Sequence, residues 1–322
     1  MTLEVDGLKV YYRTLRGHVH ALEGATFRVE DCEVMGLAGE SACGKTTLAH
    51  SLILLKPPMN LISGQVRLDG EILPVDDMSR MNAFRFEKIS IVPQYAMNAM
   101  NPTRKIGRIA SDLLESRGLS YRDMLPEIRR RLDLVHLDQA VLDMYPIELS
   151  GGMKQRMVLV LSTLLNPSLL LADEITSALD VSSQRAISEM LVECRDEGFV
   201  KSMIVITHDL SILHQIADSI LIMYAGQLSE KGSAETVIKA PLHPYTRLLI
   251  SSLPEVGVRH SETRLTGIPG TPPQLIDPPQ GCRFRHRCPM AYEKCQEAPP
   301  FVEVEPGHSV ACWKVTDGHA DA

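Results

Sequence analysis

Val34-Met35-Gly36-Leu37-Ala38-Gly39-Glu40-Ser41-Ala42-Cys43-Gly44-Lys45-Thr46 is the stretch from which the rest of the chain is read. Residues 34–38 form a short apolar run of strand type, and the spacing after Thr46 turns helical, so residues 39–46 are a strand-to-helix turn. Glycines there let the backbone aim successive N–H groups inward. Those groups and the start of the helix make a cradle for phosphate, Lys45 has the reach for the β and γ phosphates of a nucleotide, and the Thr46 hydroxyl can ligate Mg2+. A glycine-rich turn with no ligand is the plainer alternative, and it leaves the full pattern in this context unexplained.

Outward from this loop, residues 89–92, 169–172 and 203–207 read as further buried strands, and from about residue 3 to residue 240 short β-branched runs alternate with longer amphipathic stretches. That alternation predicts an α/β fold with a mainly parallel core sheet. Residues 103–165 have helical spacing and almost no strand signal, which predicts a helical subdomain inserted into the sheet domain. After residue 240 the composition changes: Pro241, Pro244, Pro254, Pro269, Pro272, Pro273, Pro278 and Pro279 begin a run of prolines that continues to Pro300. Residues 241–322 are therefore expected to be a separate, loop-rich appendage to a domain spanning 1–240. The sequence has no internal repeat and no second copy of the phosphate-binding stretch.

Leu169-Leu170-Leu171-Ala172-Asp173-Glu174 is an apolar strand that delivers two adjacent carboxylates at its C-terminal end. In a parallel sheet that end lies where ligands bind. Asp173 suits Mg2+ coordination, and Glu174 suits polarising an attacking water. By itself an Asp-Glu pair after a strand is usually a solvated turn; the phosphate-binding loop upstream changes that reading. Leu149-Ser150-Gly151-Gly152-Met153-Lys154-Gln155-Arg156 opens a helix with Ser150, Gly151 and Gly152, which makes a second anion site in the same chain.

Composition bounds the rest. The chain has 322 residues, 44% of them hydrophobic, enough for a large α/β domain with a buried core. Its formal net charge is -7, so nucleic-acid binding would need a local basic patch. Residues 1–6 carry no secretory signal, and the apolar runs fall well short of the roughly 18 to 20 residues that cross a bilayer. The expectation is a protein on the cytoplasmic side whose membrane work, if any, is done through other chains.

The order of phosphate loop, Leu-Ser-Gly-Gly segment and Asp-Glu strand resembles the nucleotide-binding subunit of ATP-binding-cassette (ABC) proteins, over roughly residues 3 to 240. In that family two cassettes dimerise head to tail, so that each ATP lies between the phosphate loop of one and the signature segment of the other. The resemblance implies that ATP contacts Gly39, Glu40, Ser41, Ala42, Cys43, Gly44, Lys45, Thr46 and Thr47 of one chain, and Ser150, Gly151 and Gly152 of the other. Gln94 resembles the glutamine that completes the Mg2+ shell with Thr46 and Asp173. Ser177-Ala178-Leu179-Asp180 resembles the D-loop, His208 the γ-phosphate sensor, and Tyr12 the aromatic that stacks on adenine, with Tyr11 as the alternative. The implied catalytic set is Glu174, His208 and Gln94. One departure is visible: Ile175 stands where the family usually has proline.

His243-Pro244-Tyr245-Thr246, Gly281-Cys282-Arg283-Phe284 and Arg287-Cys288-Pro289 are similar to the C-terminal motifs of oligopeptide/dipeptide-type import ATPases, and Asn98-Ala99-Met100-Asn101-Pro102 fits the same group. Such subunits power import of peptides, nickel chelates or oligosaccharides. They sit on the cytoplasmic face of the membrane with a second, homologous ATPase, two transmembrane permease subunits and an extracytoplasmic substrate-binding protein, and they involve no nucleic acid. Cys282, Cys288, Cys295 and Cys312 have the spacing C-x5-C-x6-C-x16-C, without the C-x-x-C pair usual in zinc ribbons. Four thiolates can hold a 4Fe-4S cluster, as the resemblance implies, or Zn2+, or neither. Cys32, Cys43 and Cys194 read as ordinary packed or loop cysteines. Two other functions fit parts of the pattern: a soluble ABC ATPase acting on nucleic acid, and an iron-sulfur redox sensor with a nucleotide domain attached.

Overall fold

The computed structural model describes residues 2–94, 99–175, 181–252 and 267–318. The D-loop stretch 176–180, with Asp180, and Asn98 lie outside them. In chain order the elements are β1 (Leu3–Thr14), β2 (Gly17–Val29), β3 (Val34–Ala38), α1 (Lys45–Ile53), β4 (Met59–Leu68), β5 (Glu71–Ile72), α2 (Met78–Met81) and β6 (Ile89–Val92). Helices α3 (Ile106–Glu115), α4 (Tyr121–Leu134) and α5 (Gly151–Thr163) come next, followed by β7 (Leu169–Asp173), α6 (Val181–Asp196), β8 (Ser202–Ile206), α7 (Leu210–Ile216), β9 (Ser219–Tyr224) and β10 (Gln227–Ser233). The chain then passes through α8 (Ala234–Lys239), α9 (Pro244–Ser251), β11 (Val302–Glu305), β12 (His308–Val310) and α10 (Trp313–Thr316).

These strands form two sheets. β2-β1-β4-β5 is a four-stranded antiparallel sheet, and β11-β12-β10-β9-β3-β8-β7-β6 is the eight-stranded main sheet. Within the main sheet β9, β3, β8, β7 and β6 run parallel. The four strands expected from sequence are adjacent in it, running from β3 to the edge strand β6, and their residues alternate between two cores, as period-two side chains in a doubly covered sheet must. Val34, Ala38, Leu170, Ala172, Met203 and Val205 face helices α3 to α8. Met35, Leu37, Leu169, Leu171, Ile204 and Ile206 face α1 and the antiparallel sheet. That second sheet is absent from the sequence reading, although the alternating burial of β1 carries its signature.

Between β6 and β7 every helix is an α-helix or a short 3-10 turn, within the expected 103–165. Their apolar faces share one core with the sheet: Ile106, Ala110, Leu114 and Ile128 cluster with Val92 and Leu170. Ser162 of α5 also donates to the Ile91 carbonyl.

The tail does not stand apart from the sheet domain as its composition suggests. β12 pairs antiparallel with β10 through Glu230↔Val310 and Lys231↔Ser309, so the main sheet continues into residues beyond 300. Behind that seam Glu230, fully buried, accepts from the backbone N–H groups of Leu242 and His243 and bonds the His308 ring. A proline-rich segment with little core of its own is held by borrowing a strand edge and a buried carboxylate from the cassette.

Candidate functional site

Register brings the site together. Leu37 of β3 lies beside Ile206 of β8, Asp173 of β7 beside the same Ile206, and Val92 of β6 beside Ala172 of β7. Four neighbouring parallel strands therefore end level, and each is followed within two residues by one singled out from sequence: Gly39, His208, Glu174 and Gln94. Ligands in open α/β sheets bind at this carboxyl end.

The loop after β3 owes its shape to two glycines. Gly39 has φ 148° and a Cβ there would sit 2.2 Å from the Met223 carbonyl oxygen; Gly44 has φ 108° and a Cβ there would sit 2.5 Å from the Ala21 oxygen. Larger residues would displace backbone from backbone, so these positions need glycine. Ala42 adopts φ 62° within the same turn, and α1 begins at Lys45. Lys45 is buried, its ammonium donating to the carbonyls of Gly39 at 2.7 Å and Glu40 at 2.9 Å, which keeps the charge over the loop. Cys43 is packed inside the turn, and burial pushes its thiol pKa up.

Asp173 is fully buried, with Thr46 Oγ1 3.5 Å from its Oδ1 and no partner for Oδ2 among the described residues. Burial first, and the Glu174 charge second, push its pKa up to about 6. A buried carboxylate facing a threonine hydroxyl, with one oxygen unsatisfied, is a donor set that fits a hard divalent cation. Glu174 adopts φ 47° and accepts from Gln94 Nε2 at 2.6 Å. His208 is largely exposed, with Nδ1 4.0 Å from Glu174 Oε1. Ile175, in the place of the usual proline, is buried in the helical-side core.

The two tyrosines separate. Tyr12 bonds Thr47 Oγ1 of α1 through its hydroxyl at 3.0 Å. Tyr11 stacks on the His20 ring at 4.1 Å and donates to Glu23. Tyr12 is thus the one directed at the phosphate loop's helix. In the signature segment Ser150 caps α5, its Oγ accepting from Met153 N–H at 3.3 Å. Ser150 is exposed, and a Cβ on Gly152 would meet nothing within 4 Å. Nothing inside this chain requires glycine there, unlike Gly39 and Gly44.

Cys282, Cys288, Cys295 and Cys312 are half-buried and line one small cavity against His243 and Phe284. Burial, reinforced by the neighbouring thiols, pushes Cys282 and Cys288 up to about 11. Among the described residues no three His, Cys, Asp or Glu side chains converge closely enough to hold a single metal ion. Cys43 and Cys194 are buried and Cys32 is exposed in a turn.

The chain is 39% identical over 316 residues to the oligopeptide transport ATP-binding protein OppD of Escherichia coli, covering 97% of this chain and 93% of the relative. It is 36% identical over 321 residues to the dipeptide transport ATP-binding protein DppD of Caldanaerobacter subterraneus, covering 98% of each. The chain belongs to the ABC transporter ATP-binding proteins. Residues 22–177 of this ABC ATPase match the ABC transporter family, and residues 229–295 match the oligopeptide/dipeptide transporter C-terminal region. Its fold is that of solved cassettes, among them the dimeric bacterial ABC transporter cassette MJ0796, with TM-score 0.64 at 21% identity over 72% of this chain and 98% of that one. CbiO1 from Clostridium perfringens gives TM-score 0.64 at 24% identity over 74% and 90%.

Sequence reasoning missed one group at this site. Arg287 forms a bidentate ion pair with Glu40 of the phosphate loop, at 2.6 and 2.9 Å, and Tyr245 accepts the Glu40 backbone N–H at 2.8 Å. Both residues belong to motifs quoted above, but only the fold carries them across more than two hundred positions to the loop.

Proposed function

We propose that this ABC ATPase is one of two cassettes that power import of peptides or related solutes, oligosaccharides included, through a membrane transporter. The observation that carries the reading is the level ending of β3, β8, β7 and β6, which gathers Lys45, His208, Asp173, Glu174 and Gln94 at one edge of the sheet. ATP lies along residues 39–47 with its phosphates on the loop amides and Lys45, and its adenine on Tyr12. Asp173, Thr46 and Gln94 would hold Mg2+, which when bound neutralises the β and γ phosphate oxygens. Glu174 orients and polarises water for in-line attack on the γ phosphorus; the new P–O bond forms as the bond to the ADP oxygen breaks, and His208 contacts the γ phosphate.

Ser150, Gly151, Gly152 and Asp180 serve the ATP of the second cassette, which is a homologous but different chain. The exposure of Ser150 and the open space at Gly152 support that division of labour. Two transmembrane permease subunits carry the solute, and an extracytoplasmic binding protein supplies it. The protein itself sits on the cytoplasmic face; among its described residues no helix is long and apolar enough to cross a membrane. Residues 1–240 form the ATPase domain and 241–322 a C-terminal domain that joins it through the β10–β12 pairing. The test is co-purification with permease chains and solute-stimulated ATPase in vesicles, with a rate that rises with cassette concentration. Hydrolysis at constant specific rate across a wide dilution series would remove the paired model.

In the tail, Cys282, Cys288, Cys295 and Cys312 hold one 4Fe-4S cluster as a structural staple. Four thiols on one small cavity are a donor set of the right kind. Zn2+ on the same four thiolates is the alternative. Anaerobic protein with close to four iron and four sulfide per chain is the expected result, and stoichiometric zinc the contrary one.

A further inference from the structure

We propose that Arg287, aided by Tyr245, is a positioning residue for ATP binding: the tail grips Glu40 and holds the phosphate loop in its nucleotide-ready shape. The inference rests on residues 39–47 being the ATP site and adds a part that neither the loop nor its flanking elements contain.

Arg287 is nearly buried and uses all five of its N–H donors. Two go to the Glu40 carboxylate, at 2.6 and 2.9 Å. One goes to the Tyr224 hydroxyl at 3.1 Å, and the remaining two to the carbonyls of Pro269 at 2.7 Å and Ile268 at 3.3 Å. The guanidinium is thus the junction of three pieces of chain: the phosphate loop, the end of β9 and the tail segment before the first two cysteines. A planar fork matched to a carboxylate in two bonds fixes direction as well as charge.

Glu40 needs that grip for two reasons. It is the second residue of a loop that must bind a polyanion, and an unpaired carboxylate there would repel the ligand. Its backbone also anchors the turn from within: the Glu40 carbonyl accepts from Lys45 Nζ at 2.9 Å and from Cys43 N–H at 3.3 Å, while its N–H is donated to Tyr245. Tyr245 is fully buried between Tyr224 and Phe284, with ring centroids 4.6 and 5.3 Å away, so its hydroxyl is a fixed point. Arg283, at the other end of the same short loop between Cys282 and Cys288, donates to the Ala225 carbonyl, and Gly226 N–H donates to the Cys43 carbonyl at 2.8 Å. The cysteine-bearing loop and the phosphate loop are therefore braced against the same β9–β10 turn. Preorganising a loop in its bound shape raises affinity by removing an ordering cost from binding.

The test measures ATP-analogue affinity, KM and kcat on the full-length chain. Arg287→Ala should weaken ATP binding about tenfold, with the loss in KM rather than kcat, the size expected for losing a charge-assisted contact. Arg287→Lys should recover only part, because an ammonium cannot form the fork. The Arg287→Ala/Glu40→Gln double variant should bind no more weakly than Arg287→Ala alone, since the two side chains act as one unit. Wild-type affinity in Arg287→Ala, or losses that add in the double variant, would overturn the proposal. Should Arg287→Ala fail to fold, Tyr245→Phe deletes only the acceptor of the Glu40 N–H: weaker ATP binding at an unchanged melting temperature supports the brace, and unchanged affinity sinks it. Lys45→Ala run alongside reports on the site itself, and undiminished binding in that variant would take down the site reading and this proposal together.

Discussion

Gln94 donates its side-chain amide to the Glu174 carboxylate at 2.6 Å, tying the end of β6 to the end of β7. The bond holds the residue assigned to the attacking water in the left-handed conformation that a non-glycine residue seldom adopts. Glu174→Gln keeps the shape and removes the charge, so it should retain ATP binding while kcat falls by about a hundredfold or more. Single-turnover ATPase assays beside nucleotide titration check this, and wild-type turnover would remove Glu174 from the mechanism.

Glycines 44 and 152 make an opposed pair. At Gly44 a Cβ would lie 2.5 Å from the Ala21 oxygen, at Gly152 it would meet nothing within 4 Å. Gly44→Ala should therefore abolish ATP binding or folding. Gly152→Ala should leave the melting temperature unchanged or slightly higher, since alanine favours a helix over glycine by about 1 kcal/mol. Its cost should appear only in the assembled pair, as lost ATPase activity. Calorimetry on the single chain and turnover in the paired cassettes separate the two outcomes.

His243 is fully buried and caps α9, its Nδ1 accepting the Tyr245 N–H at 3.0 Å, which requires that nitrogen unprotonated. Burial holds its pKa down to about 4 against 6.5 for the free imidazole, the Glu230 charge opposing. The unfolded chain takes up a proton near pH 6.5 and the folded one only near 4, so this group's stability is present above about 6.5 and is lost as pH falls through that window. The loss is on the order of 3 kcal/mol. Urea midpoints between pH 7.5 and 4.5, wild type against His243→Asn, should show a shallower acid decline in the variant, because asparagine keeps the cap and does not titrate. Parallel curves would argue against it.

The cluster proposed for the tail predicts that Cys288→Ser lowers the iron content of the purified chain and raises protease sensitivity beyond residue 240. Because Arg287 is its immediate neighbour in the chain and holds Glu40, the variant should also bind ATP more weakly, by up to about tenfold, if the brace loses its footing. Iron analysis and nucleotide titration on the same preparation check both. Iron loss with untouched ATP affinity would mean that the arginine keeps its place without the cluster.

What could be read from the sequence is what depends on local order along the chain. The phosphate loop, the Leu-Ser-Gly-Gly helix start and the Asp-Glu strand end are contiguous motifs whose backbone requirements are met by neighbours in sequence, and they sufficed for the ABC ATPase family. The buried strands were legible too, because a doubly covered sheet demands unbroken apolar runs such as 169–172. Tertiary structure alone decided three other things. It separated Tyr11 from Tyr12, since adjacent residues on a strand point to opposite faces and only the neighbours say which face meets α1. It added β12 to β10, because strand pairing over some eighty positions leaves no local signature and a proline-rich composition argues the other way. It also set Arg287 on Glu40, a contact across 247 positions whose two partners are individually unremarkable charged residues. Sequence specifies which groups the chain has and the local frame of each; long-range packing decides which of them meet.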